Sequence, residues 1–155
     1  MRPMAPVTFR LANAADLPVI LALLADDAIA RSRTGYIEEP VPGVRAAFEE
    51  ISADPNNELV VGVRDGEVIA TLQLTYIPGL SRGGMRRALV EAVRVRSDLR
   101  GQRIGELLMQ DAMDRARARG CGLMQLTTDK RRLDAHRFYA RLGFEASHEG
   151  MKRAL

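Results

Sequence analysis

Val93-Arg94-Val95-Arg96-Ser97-Asp98-Leu99-Arg100-Gly101-Gln102-Arg103-Ile104-Gly105 joins three signals in one run. Alternating valines and arginines predict a strand. Ser97 to Arg100 then reads as a loop reaching Gly101. From Ile104 the apolar residues fall at helical spacing, with Ile104, Leu107, Leu108, Ala112 and Ala116 on one side and Gly120 as the stop. The first-turn amides of a helix lack internal partners and carry the positive end of its dipole. Glycine at 101 and 105 lets a ligand approach the backbone closely. A strand–loop–helix junction of this kind suits a diphosphate. A turn whose glycines serve only the bend would read the same way, so the rest of the chain has to decide.

Upstream, residues 7–11 alternate as an opening strand, and Asn13 to Asp16 offer helix-start chemistry. Leu17, Ile20, Leu21, Leu24 and Ile29 predict one helix. Residues 31–43 carry Gly35, Pro40 and Pro42 and read as a loop. A second helix is expected over 44–52, with Ala47, Phe48 and Ile51 inward. Two β-rich runs, 58–64 and 67–77, flank Asp65-Gly66, a strong hairpin signal. The glycine-rich loop 78–84 leads into a strand from 87 to 96. Downstream of the helix 104–119, a strand is expected over 123–127 and a helix over 134–142, closed by Gly143. From Phe144 the chain reads as extended. The order β-α-α-β-β-β-α-β-α-β describes a single α/β (α+β) domain over 1–155, a mixed central sheet flanked by helices.

The 155 residues suffice for one domain; 46% are hydrophobic and 28% charged. A net charge of +3 suits a polyanionic ligand. Asp and Glu accompany the basic residues and aromatics are 5%, which argues against a nucleic-acid partner. Cys121 is the sole cysteine, so neither an intrachain disulfide nor a thiolate metal cluster is expected. The N-terminal residues lack the apolar run of a signal peptide. No stretch approaches the roughly 20 apolar residues of a membrane span. A soluble cytoplasmic chain without a membrane partner is expected.

The second decisive segment is Asp134-Ala135-His136-Arg137-Phe138-Tyr139-Ala140-Arg141-Leu142-Gly143-Phe144. With the first, it resembles the GNAT superfamily of N-acetyltransferases. That family's Arg/Gln-x-x-Gly-x-Gly/Ala signature falls on Arg100 to Gly105. Its Ala-x-x-Phe/Leu-Tyr-x-x-x-Gly-Phe helix is matched by Ala135, Phe138, Tyr139, Gly143 and Phe144. Either motif alone is weak; both in order, one helix and one strand apart, are specific. Two positions depart from the pattern. Arg103 stands at the signature's first glycine, where it keeps the backbone amides and brings a side chain able to reach a phosphate. Arg132 stands where many members have Asn.

The resemblance implies the acyl-CoA N-acyltransferase fold, in which the fourth strand splays from the fifth and the pantetheine arm of acetyl-CoA lies in the gap. Main-chain groups of Val93 and Val95 would pair with that arm. The pyrophosphate would rest on Arg100, Gly101, Gln102, Arg103, Ile104 and Gly105. Tyr139 matches the tyrosine that protonates the departing thiolate in many members; a phenol stays protonated at neutral pH. Tyr139 also reads as a packed helix residue beside Phe138. Glu91, two and four residues before Val93 and Val95, is placed on their face by strand alternation and is the candidate base. An exposed strand glutamate would read alike. His136 shares a helix face with Tyr139. Cys121 reads as a small buried side chain, so direct attack in a ternary complex is expected, with no metal required.

The implied activity is acetyl transfer from acetyl-CoA to the primary amine of a small molecule. A non-catalytic acetyl-CoA-binding regulatory module and acetylation of a protein or peptide amine are the alternatives. In the family, the acceptor is shaped by the segment that here carries Tyr36, Glu38 and Glu39, and by that carrying Arg82, Arg86 and Arg87. Arginines there would suit an anionic amine, although a solvated basic loop reads the same way. The stretch from Lys130 to Tyr139 also looks like aminoalkylphosphonate N-acetyltransferases. The oligomeric state is left between monomer and homodimer.

Overall fold

The computed structural model describes residues 3–32 and 42–155. It divides into two compact units, Met1–Gln125 and Leu126–Leu155. The first opens with β1 (Thr8–Leu11) and a 3-10 turn, Ala14–Asp16. Asn13 and Asp16 form a reciprocal cap: the Asn13 side chain accepts from the Ala15 amide, and the Asp16 carboxylate accepts from the Asn13 amide. Arg10 grips the same carboxylate in a fork, at 2.6 and 3.0 Å. That guanidinium bond holds Asp16 below the ordinary carboxylate range.

The single helix expected through Ile29 is instead two. Helix α1 (Leu17–Ala25) ends where Asp26 leaves helical geometry at ψ 57°, and α2 (Ala28–Arg31) restarts beyond Asp27. The break has a physical cause in Asp27. Its carboxylate accepts from the Ile29 amide at 3.1 Å and pairs with Arg94 at 2.9 Å. Tyr36, Glu38 and Glu39, assigned to the acceptor loop, lie outside the described residues. Helix α3 (Pro42–Ala53) covers the second predicted helix.

Asp65-Gly66 makes the predicted hairpin, with Asp65 at φ 51° and Gly66 at φ 77° between β2 (Asn57–Arg64) and β3 (Glu67–Ile77). The loop expected over 78–84 contains one helical turn, α4 (Ser81–Gly84), interrupted by left-handed Arg82 and Gly83. Then come β4 (Arg86–Val95), a 3-10 turn (Ser97–Leu99), α5 (Ile104–Ala118) and β5 (Cys121–Leu126). The sheet order is β1-β2-β3-β4-β5, and the first four strands pair antiparallel. Both faces of the central strands are covered. Leu72, Leu74 and Tyr76 point to the α5 face, and Thr71 and Gln73 to the face of α1 and α3.

A polar cluster ties the end of α5 to the sheet. The Tyr76 hydroxyl donates to Glu58 at 2.6 Å, Arg115 donates to the same carboxylate at 3.0 Å, and Arg119 stacks on the Tyr76 ring at 4.6 Å. In the second unit, α6 (Leu133–Arg141) closes at Gly143. The strand expected from Phe144 is not formed: residues 144–155 lie in no strand. The Ser147 amide turns back to the Glu145 carbonyl at 2.9 Å, a local turn that opposes extended pairing.

Candidate functional site

Strand β4 carries an irregularity that its sequence does not announce. Gln73 faces Glu91 and Thr71 faces Arg94, so two steps on β3 match three on β4. The bulge holds Ala92, a non-glycine residue at φ 54°. A left-handed alanine costs about 1–2 kcal/mol, and such strain persists only where the surroundings enforce it. Glu91 and Arg94 therefore share the face of Thr71 and Gln73. Val95 sits opposite Ala70 on the other face, and Val93, two residues before it, shares that side. The expectation that Glu91 lies on the face of Val93 and Val95 is corrected: the extra residue flips the alternation between them. Glu91 is exposed, whereas Val93 and Val95 are half-buried.

Arg94 fixes the bulge from the side of the helices. Its guanidinium donates to the Val93 carbonyl at 2.9 Å and meets the buried Asp27 carboxylate. Neither Arg94, Asp27 nor Ala92 was singled out by sequence reasoning. An aspartate in an apolar helix pattern was the one available signal, and Ala92 gave none. Beside the bulge, α1, α3 and the sheet line an apolar chamber of about 260 Å³, open on one side, also missed because its walls come from five separate elements.

Beyond Val95 the chain enters the junction where a diphosphate was expected. Arg96 spans Glu67 and Asp98 at 3.2 and 2.7 Å, and Arg64 donates to Gln102 at 3.1 Å, bracing the loop against the β2–β3 hairpin. Gly101 is left-handed at φ 83°, and a Cβ there would meet nothing within 4 Å, so the loop surface is open. Arg103 is left-handed too, at φ 63°. Its guanidinium grips Glu106 at 2.9 and 3.0 Å along the helix, rather than reaching across the loop. Glu106 is the acid in the first turn of α5, and this pairing offsets the charge that would repel an anion. No side chain caps α5, and Leu107 makes its first amide bond back to Arg103 at 3.1 Å. The amides of Ile104, Gly105 and Glu106 precede that bond at the positive end of the dipole. Arg100 is exposed at the rim. The loop and helix start thus fit an anionic ligand.

Tyr139 lies on α6 in the second unit, half-buried, with its ring edge-on to Phe138 at 5.1 Å and to Phe144 at 5.8 Å. The aromatic contacts fix the ring plane. His136 Nε2 lies 3.1 Å from the Asp129 carbonyl, a local tie. Burial raises the Cys121 thiol pKa, against the opposing pull of Arg86 and Arg119, which keeps it a poor nucleophile at neutral pH. Among the described residues no helix is long and apolar enough to cross a membrane.

Residues 23–144 match the model of the acetyltransferase (GNAT) family. An aminoalkylphosphonate N-acetyltransferase of Salmonella typhimurium is 36% identical over 111 residues, 72% of this chain and 71% of that protein. An L-methionine sulfoximine/L-methionine sulfone acetyltransferase of Pseudomonas paraeruginosa is 32% identical over 142 residues, 90% and 81% of the two chains. A crystal structure described as a transcriptional regulator from Bacillus halodurans C-125 superposes with a TM-score of 0.91 at 47% identity, covering 97% of this chain and all of that one (100%). On this match and these relatives, the chain belongs to the GNAT acetyltransferase family, acyltransferases that draw on acetyl-CoA.

Proposed function

We propose that this chain acetylates the primary amine of a small molecule by direct attack on acetyl-CoA within a ternary complex, and that both units act as one domain. The observation that carries the reading is the uncapped start of α5, entered through left-handed Gly101 and Arg103. The amides of residues 101–105, with Arg100, Gln102 and Arg103 around them, hold the pyrophosphate, and main-chain groups of Val93 and Val95 pair with the pantetheine arm between β4 and β5. The amine nitrogen attacks the thioester carbonyl carbon and the carbon–sulfur bond breaks. Glu91, whose carboxylate is exposed beside the bulge, accepts the amine proton directly or through water. Tyr139 donates a proton to the departing thiolate. The aminoalkylphosphonate and methionine sulfoximine relatives support a small-molecule amine as acceptor.

General acid catalysis is worth roughly 10²–10⁴-fold, so Tyr139→Phe should lower kcat on that scale while calorimetry shows acetyl-CoA affinity unchanged. Double-reciprocal plots should intersect and Cys121→Ala should keep its activity. Full activity of Tyr139→Phe overturns the acid, and parallel plots with an acetyl group trapped on the protein overturn direct attack. A second reading, acetyl-CoA bound and sensed without turnover, is favoured by the description of the 47%-identical relative as a transcriptional regulator. It predicts saturable acetyl-CoA binding with no amine-dependent release of thiol.

A further inference from the structure

We infer that the acceptor is an amine with an apolar body, its ammonium end at Glu91 and its hydrocarbon in the chamber beneath α1 and α3. The inference rests on the acetyl-transfer reading and narrows its substrate class. The chamber, about 260 Å³, is lined by side chains such as Leu21, Leu24, Val44, Phe48 and Leu59, and reaches Ala92 in the β4 bulge. That volume falls just below the usual range of small-ligand pockets, about 300–1,000 Å³.

The polar groups on its wall are already engaged. Thr71 Oγ1 donates to the Val60 carbonyl at 2.9 Å, and Gln73 Nε2 to Asn57 at 3.3 Å. Arg94, on the same sheet face, is held by Asp27 and the Val93 carbonyl. Thr71 and Gln73 are the polar side chains among its lining, so a phosphonate, carboxylate or sugar placed here would leave water for few donors. A hydrocarbon gains burial and loses no hydrogen bond. The charge at the chamber's bulge end has the complementary sign. Glu91 pairs across the sheet with Gln73, which lines the chamber, so the carboxylate and the apolar wall share one face. Such a surface takes a cation with a greasy tail, and the ammonium arrives next to the group that must deprotonate it.

The test is a kinetic series on the whole chain with acetyl-CoA and ethylamine, butylamine, hexylamine and 2-phenylethylamine, set against aminomethylphosphonate and glucosamine 6-phosphate. Each methylene should raise kcat/KM by roughly fourfold until the chamber is full, and the two anionic amines should trail 2-phenylethylamine by roughly tenfold or more. Val44→Phe, which fills the chamber, should lower kcat/KM for hexylamine roughly tenfold yet leave ethylamine and acetyl-CoA affinity nearly unchanged. A flat series, or the phosphonate or phosphate amine as the best acceptor, overturns the inference and leaves acetyl transfer standing. So does a chamber that reads the donor, seen as Val44→Phe discriminating acyl-CoA chain length but not amine length. If no amine turns over, acetyl transfer fails. Calorimetry on coenzyme A-loaded protein then still decides the chamber: 2-phenylethylamine must bind more tightly than aminomethylphosphonate.

Discussion

At the scale of single residues, Arg103 shows why a signature glycine can be replaced and what the replacement costs. The position demands a left-handed backbone, φ 63° and ψ 17°, which glycine adopts freely and arginine does not. Arginine brings a compensation, the fork to Glu106. Comparing two variants separates the contributions. Arg103→Ala and Arg103→Gly both lose the fork, and only Gly also loses the steric strain. Arg103→Gly should melt above Arg103→Ala by roughly 2–8 °C in thermal denaturation followed by circular dichroism. Equal melting would show that the left-handed backbone at 103 carries no strain. Asp27 makes a related point. It reads as one more polar residue between apolar ones, and nothing local reveals that its partner, Arg94, lies on a strand far along the chain.

At the scale of elements, legibility tracked the range of the forces involved. The hairpin was readable because Asp65-Gly66 fixes its turn through local backbone geometry, and α5 because its apolar spacing and Gly120 are local too. The strand–loop–helix junction was readable for the same reason. The chamber and the β4 bulge depend on contacts between distant segments, so no local pattern carried them, and Asp27 was the one local trace of the α1–α2 break. Helix α5 is where a readable element meets the proposed chemistry. Gly105 is its second residue, within the turn whose amides would meet a diphosphate. Gly105→Ile should therefore weaken coenzyme A binding, by roughly tenfold or more, as β-branched bulk keeps the ligand off the backbone. Isothermal calorimetry on the folded variant checks this, and unchanged affinity would remove the diphosphate from this site.

At the scale of the whole molecule, the Tyr76–Glu58–Arg115 cluster gives stability a dependence on alkali. Burial, then the bond to Glu58, raises the Tyr76 pKa above the usual phenol value near 10. Between the unfolded and folded values the native state binds the extra proton. The contribution is therefore complete below pH of about 10 and falls as pH rises further. Melting temperature should drop more steeply above that pH in the wild type than in Tyr76→Phe; parallel curves would show that Tyr76 does not govern it. The bulge in β4 has a reach of a different kind. A strand is read in alternation, one residue to each side, and Ala92 acts on that reading as a frameshift does on a message. Ahead of it, odd-numbered residues such as Glu91 address α1 and α3; after it, odd-numbered Val93 and Val95 address α5. The strand thereby presents its carboxylate to one compartment and its valines to the other, and the spelling of either half can change freely only while the count between them is kept.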